Sequence, residues 1–478
     1  MKRDRRVKIL ATLGPASADE AMIEKLFMAG ADVFRINMSH ADHDMMRLLV
    51  KRIRHIEEKL KRPIGILADL QGPKLRVGKF AEGRVDLVIG QSFTLDNQDL
   101  PGDKDRVFLP HPEIFEAVKP GERLLIDDGR LQLLAENCSP QAIQCKVVAG
   151  THISDRKGVS LPDTTLGVSA MTEKDHKDLL AVLEEPIDWV ALSFIQRPED
   201  IAEVRKISKN KVALLSKIEK PQAVQRIEEI VELSDAVMVA RGDLGVEMPL
   251  EAVPAIQMDI IKICRRAGKP VVVATQMLES MIGAPVPTRA EVSDVATAVY
   301  QGADAVMLSA ESASGHYPYD AVLTMNRIAT KVESDPNYIS MIGAQHPKPE
   351  ATGADAISLA SRQIAETLNI SAIVAYTASG TTGIRASRER PNTPIIALSP
   401  VVETARRLAL VWGLHCVVTQ DASDLDDMVD RAAFIACSEE FCAPGERIII
   451  SAGVPLGTPG ATNMLRIASI SDDGKHGV

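Results

Sequence analysis

Eight short runs of β-branched and apolar residues recur along the chain, at 8–13, 33–38, 65–70, 187–194, 213–218, 236–241, 271–276 and 303–309. Each runs into a polar or glycine-containing turn and then a helical pattern. Their starts lie 23 to 35 residues apart, the length of one strand–helix unit, except for a single gap of 122 between the third and the fourth. Parallel strands joined by helices are buried on both faces, and eight such units close into a barrel at about 250 residues. With 77–160 set aside as an insertion, 246 residues remain up to position 330. The fold expected is therefore an α/β (β/α)8 barrel interrupted once.

The insertion has a different texture. Short alternating runs such as RVDLVIG, SFTLD, ERLLIDDG, LQLLAE and AIQCKVVAG are broken by Gly, Asp and Pro, which predicts a small all-β, barrel-like lid. Beyond a polar connection at 334–349 a new alternation starts, with strands at 371–377, 394–399, 415–420 and 447–453 between helical patterns. That segment is a C-terminal α/β domain with a mainly parallel sheet. The domains are expected at 1–76 with 161–345 (barrel), 77–160 (lid) and 346–478.

Charge and cysteine content narrow the function. A formal net charge of −10 gives no basic field for nucleic acid or an anionic membrane, so any phosphate chemistry must use local cations. Six cysteines without a C-x-x-C pair point to reduced thiols and the cytoplasm. The basic start runs into Val7-Lys-Ile-Leu10 without a signal-peptide pattern, and no apolar run approaches the roughly 18 residues that a membrane span needs.

In a barrel of this kind, polar residues at the strand ends converge on one face. Here they are Arg35, Asn37, Ser39 and His40 after the second strand, Asp69, Lys74 and Arg76 after the third, and Ser193 after the fourth. Lys217 and Glu219, Arg241 and Asp243, Thr275, then Ser309 and Glu311 follow on the remaining four. Lys217 and Glu219 lie two apart on a strand and so share one face, expected to be the barrel interior. A surface ion pair is the plain alternative, as a turn-capping role is for Asp243. Carboxylates on neighbouring strands suit a hard cation that keeps several waters, as Mg²⁺ does. Arg35, Arg76, Arg241 and Lys217 would bring four positive charges to the same face, as phosphoryl transfer requires, unless they pair structurally with aspartates.

The stretches Arg35–His40 (RINMSH), Asp69–Arg76 (DLQGPKLR), Lys217-Ile-Glu219, Met238–Glu247 (MVARGDLGVE), Ala274–Met281 (ATQMLESM), Pro287–Asp294 (PTRAEVSD) and Met307–Glu311 (MLSAE) together resemble the pyruvate kinase family, in order and with the insertion in place. The resemblance implies transfer of the phosphoryl group of phosphoenolpyruvate to ADP, giving pyruvate and ATP. It implies Lys217 and Arg35 at the phosphate, Mg²⁺ (or Mn²⁺) on Glu219 and Asp243, and the substrate carboxylate on Thr275 with the backbone of 241–243, including Gly242. Ser193 is placed at the substrate, and Asn37, His40, Arg76 and the lid's Lys157 at the nucleotide. A water near Thr275, Ser309 and Glu311 is the expected proton source for the enolate. Potassium-binding relatives use residues matching Asn37, Ser39, Asp69 and a Thr, with a Glu further on. This chain has Leu70 for the Thr and Lys74 for the Glu, so it resembles the branch that needs no potassium. Met38, Ala41 and Ser160 also depart from the usual residues.

The C-terminal segment resembles the family's allosteric domain, with Thr377, Ser379, Thr381 and Thr382 around a helix start suited to a phosphate. The loop 453–460 lacks the Trp and Arg of relatives activated by fructose bisphosphate, so a sugar monophosphate or AMP is the expected effector. A homotetramer is expected from resemblance alone. Two rivals stand beside the kinase. A Mg²⁺-dependent barrel lyase or aldolase acting on phosphoenolpyruvate or pyruvate does not account for the lid and Lys217. A non-catalytic metabolite sensor does not account for the expected residue type at every matched catalytic position.

Overall fold

The structure, a computed structural model, describes residues 2–167, 169–455 and 462–477. Eight parallel strands form the closed barrel: Lys8–Leu13, Val33–Asn37, Gly65–Asp69, Trp189–Leu192, Ala213–Ile218, Ala236–Ala240, Val271–Ala274 and Ala305–Leu308. Each pairs with its sequence neighbours, and Lys8 opposite Ala305 closes the ring. Alternate side chains divide as a two-residue period demands. Leu10, Val33, Leu67, Ala191, Leu215, Met238, Val272 and Met307 fill the barrel interior, whereas Ile9, Phe34, Ile66, Val190, Leu214, Val237, Val273 and Val306 pack against the helices outside.

Several strands end earlier than the sequence suggests. The run at 187–194 is strand only over Trp189–Leu192, and that at 271–276 only over Val271–Ala274. Phe194, Thr275 and Gln276 have φ of 62°, 68° and 57°. Side chains rarely adopt this region, least of all a β-branched one, and such strain collects where a site imposes it.

The inserted segment has its own apolar core, which draws in Leu75 and Val77 on one side and Leu161 and Leu166 on the other. Where a barrel-like lid was expected, the pairing gives an open six-stranded sheet edged by Arg106–Phe108 and Val159–Ser160, plus a ribbon of Arg84–Asp86 with His152–Ser154. Lid strands this short leave few interior positions to close a ring.

The C-terminal sheet runs Leu414–Val418, Ile395–Ser399, Ala372–Tyr376, Arg447–Ala452, Met464–Ser469. The first four are parallel as expected. The fifth is an antiparallel edge that hydropathy does not reveal, because only Ala468 in it is buried. This domain docks under the barrel's N-terminal face. Ala409 and Leu410 join the barrel's interior cluster, Arg406 forks onto Glu57 at 2.5 and 2.8 Å, and Lys8 Nζ donates to the Leu414 carbonyl at 2.8 Å. The opposite face is left to the lid. Among the described residues no helix is long and apolar enough to cross a membrane.

Candidate active site

The inward-facing rows that fill the barrel continue as polar residues at the strands' C-terminal ends. Val33 leads to Arg35 and Asn37, Leu67 to Asp69, Ala191 to Ser193, and Leu215 to Lys217 and then Glu219. These side chains, with Lys74, Arg76 and Asp243, line a cleft of about 350 Å³ between the barrel mouth and lid residues Asp128 and Gly158–Ser160. The shared face expected for Lys217 and Glu219 is thus the barrel interior.

Lys217 is the hub. Its Nζ lies 2.8 Å from Glu219 Oε1, 2.8 Å from Ser193 Oγ and 3.5 Å from Asp69 Oδ1. Burial disfavours the ammonium, but Asp69, Glu219 and Asp243 outweigh it and hold its pKa well above that of an ordinary lysine. Arg35 donates from Nε to Asp69 Oδ2 at 2.7 Å and from Nη1 to Thr12 Oγ1 at 3.0 Å, which fixes its fork. Asp69, 1% exposed, is disfavoured by burial as a carboxylate, yet Lys217 and Arg35 bring its pKa below the usual range.

Glu219 is anchored from below, where its Oε2 accepts the Phe194 N–H at 2.9 Å. The left-handed Phe194 backbone aims that N–H, and the Phe194 ring rests 4.2 Å from Lys220 Nζ, itself paired with Glu247. Lys220 and Glu247 line the cleft and, like Asp128, carry no site role in the sequence reading; the left-handed Phe194 has no sequence signature. Asp243 sits at the start of the short helix Arg241–Glu247, open to solvent along its side chain but walled in by the cleft. That surrounding protein, and then the charge on Glu219, push its carboxyl up to about 6 against the pull of Lys217. Its oxygens have no hydrogen-bond or ion-pair partner among the described residues.

The other expected residues divide. Thr275 and Gly242 meet, with the Gly242 N–H donating to Thr275 Oγ1 at 2.7 Å. Ser39 and Leu70 line the cleft with Asn37 and Lys74. Arg241 does not join the cations of the face. Its guanidinium forks onto Asp294 at 2.6 and 2.7 Å and donates to the Thr275 carbonyl at 2.7 Å, so it braces the loop that carries Thr275. Asp294 lies on the helix Arg289–Tyr300, out of reach of local sequence reasoning. Ser309 and Glu311 do not line the cleft. Glu311 is 2% exposed and accepts from the backbone N–H of Ser309 at 2.7 Å and Leu278 at 3.2 Å, tying two strand ends together. His40 is exposed outside the walls, and Lys157 is paired with the lid's Asp127 at 2.8 Å.

In the C-terminal domain, Thr377 Oγ1 accepts from the Gly380 N–H, Ser379 and Thr381 share a hydrogen bond, and Thr382 meets Thr462. These hydroxyls gather where the helix Thr381–Arg388 begins. Of the loop 453–460, positions 456–460 lie outside the described residues.

A cleft beneath a lid, with the Arg35 guanidinium and the Lys217 ammonium held among carboxylates, has the parts of a phosphoryl-transfer centre. The comparisons agree. Residues 4–322 match the model of the pyruvate kinase barrel domain and 355–468 that of its alpha/beta domain. The chain belongs to the pyruvate kinase family. It is 59% identical to the pyruvate kinase of Methylorubrum extorquens over 98% of both chains, and 47% identical to one from Agrobacterium vitis over 98% of this chain and 99% of that protein. The crystal structure of a pyruvate kinase from Cryptosporidium parvum superposes with a TM-score of 0.93 at 32% identity, covering 98% of this chain and 96% of that one. As a pyruvate kinase, the protein transfers the phosphoryl group of phosphoenolpyruvate to ADP.

Proposed function

We propose that phosphoenolpyruvate lies with its phosphate against Arg35 and Lys217 beside Ser193, and its carboxylate against Thr275 and the backbone at Gly242 and Asp243. The single observation that carries this reading is Lys217 held among Asp69, Ser193 and Glu219 where the barrel's inward rows open into the cleft. ADP enters from the side of Asn37 and Arg76. His40 and the lid's Lys157 complete the nucleotide site when the lid closes, which also keeps water from competing as acceptor.

Glu219 and Asp243 are the residues that would hold Mg²⁺ (or Mn²⁺). The donor set fits: Glu219 and Asp243 are hard oxygen donors that both line the cleft, and Asp243 has open oxygens. With two protein carboxylates, the ion would complete its shell with water and substrate oxygens, as Mg²⁺ commonly does. When bound, the ion supplies positive charge to the transferring phosphoryl oxygens and the forming enolate.

The chain's own residues do the rest. The bond from phosphorus to the enol oxygen breaks as one forms to the terminal phosphate of ADP. Lys217, kept charged by its carboxylates, meets the negative charge on the phosphoryl oxygens, and Arg35, fixed on Asp69 and Thr12, holds them in line. The enolate then takes a proton at carbon three from a water beside Thr275. Glu311 holds the backbone of Ser309 and Leu278 in place beside this step.

Potassium is dispensable in this reading. Lys74 stands with Asn37, Ser39, Asp69 and Leu70 on the cleft wall, with no carboxylate in ion-pair contact among the described residues, and its ammonium, whose pKa burial and then Arg76 lower, supplies the positive charge a monovalent ion would bring. Turnover of phosphoenolpyruvate and ADP is expected at comparable rates in sodium-free tetramethylammonium and in potassium buffers. A fall of more than about tenfold without potassium, some 1.4 kcal/mol in the barrier, contradicts this. A cytoplasmic homotetramer, and a sugar monophosphate or AMP held by Thr377, Ser379, Thr381 and Thr382, complete the reading.

A further inference from the structure

A second cavity, of about 770 Å³, lies where the barrel meets the C-terminal domain, away from both the catalytic cleft and the Thr377–Thr382 turn. Its wall includes Arg6, Tyr338, His346, Arg362, Arg390 and Trp412. Five of the eleven buried side-chain nitrogens and oxygens that lack a hydrogen-bond partner among the described residues belong to this one place: Arg362 Nε, Arg390 Nε and His346 Nδ1, with Nε and Nη1 of Arg265 just behind the wall. Buried polar atoms in native proteins are nearly always satisfied by protein, water or a bound ion, so such a concentration calls for a partner.

The missing partner is an acceptor. The four guanidinium nitrogens can only donate, and the imidazole of His346 can donate from one of its nitrogens. Arg390, its side chain 2% exposed, pairs with Asp304 at 3.1 Å, and Arg362 with Glu366 at 3.2 Å and, through Nε and beyond hydrogen-bond distance, with buried Glu389 at 3.8 Å, so these two charges are met. Arg6 and Arg265 have no carboxylate within ion-pair distance among the described residues. Arg265 is 5% exposed, and its one protein hydrogen bond runs from Nη2 to the Ile342 carbonyl at 3.4 Å. Asp304, Glu366, Glu389 and Glu333 balance the four arginines in charge, so what the locality has in excess is donors that lack an acceptor. The guanidinium groups of Arg390 and Arg6 lie 4.6 and 5.7 Å from the Trp412 ring centre. Arg390 Nη1 and Nη2 are taken by Ser387, Gly302 and Asp304 and Arg6 Nη2 by Asn392, so Arg390 Nε and the remaining edge of Arg6 are the donors left for a ligand.

We propose that this cavity binds the phosphate group of a small phosphorylated molecule, bridging the barrel and the C-terminal domain. A tetrahedral group with several acceptor oxygens and more than one negative charge matches donors that come from different directions, as a planar monocarboxylate does not. The elements it would join are the segment before the first barrel strand (Arg6), the connection after the helix Pro336–Ala344 (His346), the helix Gly353–Leu368 (Arg362) and the turn at Arg390. The inference does not depend on the assignments made for the catalytic cleft.

The chain has two tryptophans, Trp189 in the barrel and Trp412 in the cavity wall, so Trp189→Phe makes Trp412 fluorescence a reporter of this site alone. Titration with inorganic phosphate is expected to change that emission saturably, while chloride and acetate at equal ionic strength do not. Arg6→Ala and Arg362→Ala, each tested separately in proteins that retain phosphoenolpyruvate turnover, are expected to raise the half-saturating concentration at least tenfold. The unmodified chain, with Trp189 as a constant background, gives the same difference spectrum. No saturable change, an unaltered half-point in the variants, or an equal response to acetate overturns the proposal.

Discussion

Replacing Lys217 with Met is expected to lower kcat by about 10³-fold or more while the barrel still folds. The side chain comes off the fifth strand between Leu215, which packs inside the barrel, and Glu219, and a methionine of similar length occupies the same channel. What disappears is a positive charge that three carboxylates keep in place. Removing one preorganised electrostatic contact to the charge that develops in a transition state costs about 3–4 kcal/mol. The variant should still unfold in one cooperative transition, at a lower midpoint because buried Glu219 loses its partner, and bind phosphoenolpyruvate within about tenfold, which places the loss in the chemical step. Turnover near that of the unmodified chain would remove Lys217 from the transferring phosphoryl group.

Glu219→Gln is expected to act on the metal and on turnover together. The amide keeps the shape and can still accept the Phe194 N–H through its oxygen, so the local backbone is preserved. It lacks the charge that pairs with Lys217 and that, beside Asp243, makes the cleft favourable for a divalent ion. Half-saturating Mg²⁺ is expected to rise at least about tenfold, equivalent to 1.4 kcal/mol, with a fall in kcat. Mn²⁺ binding followed by electron paramagnetic resonance without substrate should weaken in parallel, a readout independent of turnover. An unchanged titration by both methods would put the metal elsewhere.

The barrel was legible because burial on both faces forces near-continuous apolar runs, and the 122-residue gap marked the lid. The site followed because a two-residue period carries the inward row from Leu215 to Lys217 and Glu219. What stayed hidden depends on partners distant in sequence. Arg241 looks like a site cation until Asp294, 53 residues on, claims it. Nothing in the sequence around Glu311 shows that it accepts from the backbone amides of Ser309 and Leu278. The left-handed turns at Phe194 and Thr275 fall on residues that local propensity assigns to strands, and the tertiary contacts of the site override that preference. The strand Met464–Ser469 escaped because an edge with one buried side chain carries almost no hydropathy signal.

The most direct test of the reaction assigned to this cleft is a coupled assay with phosphoenolpyruvate, ADP and Mg²⁺, following pyruvate through lactate dehydrogenase. Pyruvate is expected only when ADP and the divalent ion are both present, with ATP formed in equal amount. Pyruvate released without ADP, or none at all with sugar monophosphates and AMP added, would contradict phosphoryl transfer at this site.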